Sequence, residues 1–332
     1  MGKVRRLRKG DKIGIFSPSS PITATSPIRF LRAKAYLQAK GFQIVEGCLT
    51  GKRDGYRSGT IQERAEELNR LIRDKEVRCI MSTIGGMNSN SLLPYIDYEA
   101  FQKDPKIVIG YSDVTAILLA LYEKTGISTY YGPALVASFG ELPPFVDDTY
   151  RYFQELLIKE TEMPYSYSMP KVWTEEYIPW ETQEQSKEEK GNQWITVRKG
   201  NAKGRLIGGN LNTMAGIWGS EYMPEIRSGD ILLIEDSLKT AATIERSFSL
   251  LKLNGVLDRV GGIILGKHEL FDDQGTGRKP YEILEEVMGE TEIPILADFD
   301  SCHTHPMITM PIGAQVELDA SRGKVRVLSN WL

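Results

Sequence analysis

Three side chains far apart in the chain carry the residue types of nucleophilic acyl transfer: a serine, a carboxylate and an imidazole. Ser112 lies in Gly110-Tyr111-Ser112-Asp113, after the apolar run Ile107-Val108-Ile109 and before the helical stretch Val114 to Lys124. A serine on a sharp strand-to-helix turn presents its hydroxyl above the sheet, and helix N-terminal N–H groups point where an oxyanion develops. The full G-x-S-x-G elbow is absent. Ser and Asp are also ordinary N-cap residues, so the turn by itself leaves both readings open. Glu235 ends the run Ile231-Leu232-Leu233-Ile234. A carboxylate at the end of a buried strand needs a partner; either it answers a helix dipole or it orients a base.

The chain has three histidines, His268, His303 and His305. Ser112, Glu235 and His303 follow the Ser…acid…His order of α/β hydrolases. His303-Thr304-His305, beside Asp298, Asp300 and Cys302, also offers a set of metal ligands, although no helix-borne H-E-x-x-H is present. His268, in Gly266-Lys267-His268-Glu269, is also compatible with a surface turn. Gly85-Gly86 is either a tight turn or an anion cradle; no phosphate-loop lysine motif and no G-x-G-x-x-G accompanies it.

The elements that must position these residues alternate. Strands are expected at 12–17, 42–45, 77–83, 106–110 and 127–131, with helices at 27–40, from the capping box Thr60-Ile61-Gln62-Glu63 onward, and at 146–159. This pattern predicts an α/β fold with an N-terminal doubly wound parallel sheet, whose ligands gather at strand C-termini. Residues 160–200 break the pattern with three tryptophans (Trp173, Trp180, Trp194) and a charged run at 181–190, which reads as either a linker or a substrate lid. Beyond it, strands near 230–235, 262–265, 294–297, 314–319 and 324–328 and helices at 240–253 and 280–288 outline a smaller mixed α/β domain. The expected division is 1–160, an intervening 161–203, and 204–332.

With 332 residues, 26% charged, and a net charge of −3, the chain gives no electrostatic case for nucleic acid or an anionic membrane. No apolar run approaches the ~20 residues of a membrane span. The N-terminus through Gly10 is basic without the apolar segment of a signal peptide. Cys48, Cys79 and Cys302 have no paired spacing and read as reduced thiols. A cytoplasmic location is therefore expected.

Taken together, the blocks Ile84-Gly85-Gly86-Met87-Asn88-Ser89-Asn90, Gly110-Tyr111-Ser112-Asp113, Gly208-Gly209-Asn210-Leu211-Asn212, Ile234-Glu235-Asp236, Gly266-Lys267-His268 and Cys302-His303-Thr304-His305-Pro306 resemble the LD-carboxypeptidase family of serine peptidases. Within it they are most similar to the branch of microcin C immunity proteins. The resemblance implies Ser112 as nucleophile, Glu235 as orienting acid and His303 as base, with the backbone N–H groups of Gly86 and Asp113 as the oxyanion hole. It further implies a homodimer of two-domain subunits, a triad assembled across the domain junction, and no metal or other cofactor. Murein LD-carboxypeptidases usually carry Arg where this chain has Ile84, and Gly-His-Thr-Asp where it has Cys302 to His305. The immunity branch instead cleaves the bond between an aminoacyl or peptidyl group and a modified nucleotide. Trp180 resembles the residue stacked on adenine there, and Asn212 and Lys239 match positions that contact the nucleotide. The expected partner is a small aminoacyl-nucleotide or short peptide. The rivals are murein tetrapeptide cleavage, a metal-dependent amidohydrolase and a non-enzymatic nucleotide-binding module.

Overall fold

The computed structural model describes residues 4–329 and 331–332; the basic N-terminal reading thus falls partly on Met1 to Lys3, outside the described residues. Apolar, β-branched runs form the interior of both halves, because a strand covered on both faces must be hydrophobic throughout. In the N-terminal half these are β1 (Lys12–Phe16), β3 (Val77–Ser82), β4 (Ile107–Gly110) and β5 (Thr129–Tyr131), with β2 (Gln43–Glu46) a partly exposed edge strand. They pair in parallel in the order β5-β4-β3-β1-β2. The order reverses between β1 and β3, which is where a doubly wound sheet opens a crevice for ligands.

Helix boundaries follow local chemistry. The helix Ile61–Arg73 starts at the expected capping box, with Thr60 N–H donating to Glu63 Oε2 at 2.9 Å. The helix Thr115–Thr125 stops at Gly126 in the left-handed conformation, φ 71°.

The segment 161–203 is more ordered than its sequence suggests. It contributes β6 (Tyr165–Ser166), β7 (Val172–Trp173), β8 (Lys190–Gly191) and β9 (Ile195–Arg198), followed by the long β10 (Asn201–Asn210). Strands of two to four residues with polar neighbours are too short to leave a period-2 signature. The C-terminal half adds β11 (Ile231–Glu235), β12 (Gly262–Gly266), β13 (Ile295–Phe299), β14 (Met310–Ile312), β15 (Gln315–Asp319) and β16 (Lys324–Val327). Its sheet runs β6-β16-β15-β10-β11-β12-β13-β9, parallel from β10 to β13 and antiparallel at both margins. β14 crosses over and pairs antiparallel with β5 of the first sheet. No helix among the described residues is long and apolar enough to cross a membrane.

Candidate active site

Ser112 sits between β4 and the helix Thr115–Thr125, on a short 3-10 turn of Ser112–Val114. The sequence places it in the first turn of an α-helix; the structure puts that helix three residues later. Ser112 has φ 60°, a left-handed conformation that costs a non-glycine residue energy and clusters at functional sites. It is not an N-cap: it lies inside the 3-10 turn and no side chain caps that turn. Instead its carbonyl accepts from Thr115 Oγ1 at 2.6 Å. Gly85 packs face-on against this turn. A Cβ there would lie 2.9 Å from Ser112 Cβ and 3.0 Å from Asp113 N, so any larger residue would displace the serine.

Glu235 ends β11 and is fully buried. Its Oε2 is 2.6 Å from His303 Nδ1, while its Oε1 accepts from Tyr131 Oη at 2.6 Å and Asn210 Nδ2 at 3.0 Å. Burial works to raise the Glu235 carboxyl, but the attraction of His303 and three hydrogen bonds outweigh it, leaving it below its ordinary value. For His303, burial works to lower the imidazole; Glu235 outweighs this, with Glu269 and Asp236 adding, so its proton affinity is raised. Asn210 is in register with Glu235 across β10 and β11, which places its amide. The ring of Tyr111, the residue before Ser112, stands edge-on to the His303 ring at 4.9 Å. Thus the serine turn and the acid–imidazole pair meet, although no hydrogen bond joins Ser112 to His303 among the described residues. Such bonds often tighten only with substrate bound.

Gly86 and Asp113 line one small cavity of about 50 Å³ together with Met87, Asn90, Asn212 and Thr213. Among the described residues no acceptor outside its own turn takes the N–H of Gly86 or Asp113. The Asp113 carboxylate accepts from the N–H groups of Asn88 and Ser89 at 3.0 and 2.9 Å, tying the diglycine loop to the Ser112 turn. Asn212 donates its N–H to Asp236 Oδ2 at 3.2 Å, and Lys239 Nζ lies 3.6 Å from Asp236 Oδ1. Asp236 therefore gathers both residues beside Glu235.

The remaining expectations divide. His303 and His305 do not share a ligand: His303 faces Glu235, whereas His305 Nε2 lies 3.8 Å from Glu141. Among the described residues no group of three or more His, Cys, Asp or Glu side chains is arranged to hold a metal ion. His268 is half-buried rather than a surface turn, and burial first of all pushes its imidazole down to about 4. Trp180 is half-buried with the Arg29 guanidinium over its ring at 4.6 Å. Arg29 leads on to Glu141, and Glu141 to His305, so the tryptophan connects to the histidine loop through side chains.

Sequence reasoning passes over Tyr131, Asn210, Asp236 and Glu141. Tyr131 had a usable signal, since a hydroxyl at the C-terminal end of a buried parallel strand points toward the ligand side. Glu141 had none, because the partners that define it come from distant segments.

A model of the LD-carboxypeptidase N-terminal domain matches residues 13–132, and one of the C-terminal domain matches residues 203–318. A putative carboxypeptidase of Vibrio cholerae serotype O1 is 61% identical, over 99% of this chain and 98% of its own length. The microcin C7 self-immunity protein of Escherichia coli is 53% identical, over 98% of this chain and 95% of that protein. A solved structure of the microcin C7 self-immunity protein in complex with aspartyl sulfamoyl adenosine aligns at TM-score 0.98 and 52% identity, covering 100% of both chains. The α/β architecture, the paired domains and the blocks around Ser112, Glu235 and His303 thus have one explanation: the chain belongs to the LD-carboxypeptidase family.

Proposed function

We propose that the chain is a serine hydrolase cleaving the amide bond between an aminoacyl or peptidyl carboxyl group and a modified nucleotide, a detoxifying or self-immunity activity. The observation that carries the chemistry is the strained Ser112 turn packed beside the pair of buried Glu235 and half-buried His303. The leaving group is supported by the likeness to the immunity protein bound to aspartyl sulfamoyl adenosine.

In this reading His303 Nε2 takes the Ser112 hydroxyl proton as Oγ bonds to the acyl carbon. Charge on the acyl oxygen is met by the Gly86 and Asp113 N–H groups, worth about 3–4 kcal/mol per donor in comparable sites. The carbon–nitrogen bond then breaks, with His303 returning the proton to the leaving nitrogen. Water, deprotonated by the same imidazole, hydrolyses the Ser112 ester and restores the hydroxyl. Asn212 and Lys239 contact the nucleotide part, and Trp180 stacks on the base. No cofactor is required by these steps. We place the enzyme in the cytoplasm as a homodimer, in keeping with three free cysteines and with the family pattern.

The deciding experiment offers purified protein an aminoacyl-sulfamoyl-adenosine and an L,D-tetrapeptide and compares kcat/KM. A preference for the nucleotide is expected. A preference for the tetrapeptide would reassign the enzyme to murein peptide cleavage with the same three residues.

A further inference from the structure

The two sheets each supply part of the proposed triad, so something must hold the parts in register. Tyr131 ends β5 in the first sheet, paired with Gly110 two residues before Ser112. Its hydroxyl accepts the Ser112 N–H at 3.2 Å and donates to Glu235 Oε1 of the second sheet at 2.6 Å. The side chain is fully buried. We propose that Tyr131 is a positioning residue that fixes the nucleophile's backbone and sets the proton affinity of His303 through Glu235. The inference rests on the hydrolase reading above.

Three consequences follow from the atoms. First, the Ser112 N–H is occupied, which leaves the oxyanion to Asp113 and Gly86. Second, Tyr131 and Asn210 saturate Glu235 Oε1, so Oε2 is left for His303 Nδ1. Third, a neutral donor on the carboxylate disperses its charge and limits how strongly it holds the imidazole's proton. The phenol stays a donor, because burial first of all, and then Glu235, hold its pKa well above the ordinary tyrosine value.

Close packing enforces the arrangement. Gly209, φ +145°, passes so near that a Cβ would lie 3.0 Å from the Tyr131 ring and 2.7 Å from Thr115 Cγ2. The charged or titratable groups facing His303 are Glu235 and Asp236 at the end of β11, Glu269 and His268 after β12, and His305 on its own loop. The Tyr111 ring lies against it. Cys302 also faces Tyr131, with its thiol pushed up to about 12 by burial. Replacing Tyr131 by Phe leaves all of these in place.

The test measures Tyr131→Phe in two ways: turnover of an aminoacyl-sulfamoyl-adenosine, and the rate of Ser112 labelling by a fluorophosphonate as a function of pH. The expected result is a fall in kcat of about ten- to hundredfold, with KM within about twofold. The acid-side midpoint should move up by roughly half a pH unit or more, since Glu235 then holds the imidazolium more tightly. An unchanged midpoint, or unchanged kcat, would reduce Tyr131 to a filler of space and overturn the inference. If the Phe variant fails to fold, incorporation of 3-fluorotyrosine supplies a stronger donor, and the same midpoint must move down; a stationary midpoint overturns the inference. Failure of the hydrolase reading looks different, because the wild-type protein itself would then take no label at Ser112.

Discussion

His303 and His305 stand two residues apart on one loop, each beside a buried glutamate, and their proton affinities move in opposite directions. His303 faces Glu235, whose other contacts, Tyr131 and Asn210, are neutral. His305 faces Glu141, which is already held by Arg29 at 3.0 Å and Lys187 at 3.1 Å. Burial opposes the charged form of both rings. For His303 the Glu235 charge wins and proton affinity rises. For His305 burial is reinforced by Lys187 and Arg29, outweighing Glu141, and the ring is pushed down to about 3. A carboxylate beside an imidazole therefore does not make a base; what else the carboxylate binds decides. The first region is the one we propose to move a proton, while the second clasps the segment 180–187 to the body of the protein through Arg29, Gln183 and Lys187.

The largest expected effect breaks the first region. Ser112→Ala or His303→Ala should cut kcat/KM on an aminoacyl-sulfamoyl-adenosine by roughly 10³-fold or more, with the urea midpoint nearly unchanged for Ser112→Ala and lowered for His303→Ala, which leaves Glu235 buried without its partner. Near-normal turnover in either variant would sink the catalytic assignment.

The next breaks the second region. Glu141→Gln leaves Arg29 and Lys187 buried without their carboxylate, and removing one partner from a buried ion pair costs about 3–5 kcal/mol. The expected outcome is a stability loss of that size in chemical denaturation. A loss below about 1 kcal/mol would show that the cations relax into water and that the clasp is weak.

A milder change separates the clasp from base recognition. Trp180→Ala removes a stacking surface worth about 1–3 kcal/mol per base. It should raise KM for adenylates about tenfold while leaving an ester substrate without a base unaffected. An equal loss on both substrates would mean that Trp180 acts only through its packing on Arg29.

Much of this comparison was legible before the fold, and the boundary has a physical cause. The buried strands β3, β4, β11 and β12 are mostly apolar runs, and the helix at Ile61–Arg73 has a two-sided cap, so local chemistry marks them. Ser112, Glu235 and His303 stand directly after or near the ends of such runs, where a reader looks for a ligand crevice. The left-handed backbone of Ser112 is invisible in sequence, because the groups that touch it, Gly85 and Tyr131, come from elsewhere in the chain. The clasp is invisible for the same reason: Arg29, Glu141, the pair Gln183 and Lys187, and His305 come from four separate places. The H-x-H pair was most open to misreading, since its spacing fits a metal site while the burial and charges around each ring send them apart.

The finest prediction uses pH, because the two histidines should pull stability in opposite directions. His305 has its folded-state pKa depressed to about 3, below the ordinary value near 6.5. Between those values the unfolded chain binds the extra proton and the folded chain does not, so this group removes stability as pH falls below about 6.5. The slope is about 1.4 kcal/mol per pH unit at its steepest. His303 has a raised folded-state pKa. Its contribution is fully present below the unfolded value and is lost as pH rises through the folded one. His305→Gln should therefore flatten the acid-side fall of the denaturation free energy. His303→Gln should instead remove a contribution that is constant below the unfolded value and fades above it, lowering the whole acid limb without changing its slope there. The acid limb of kcat/KM needs neutral His303, so it should lie above the ordinary histidine value and stay there in His305→Gln. If that limb moved with His305, the two imidazoles would titrate as one unit, and the division between base and clasp would not hold.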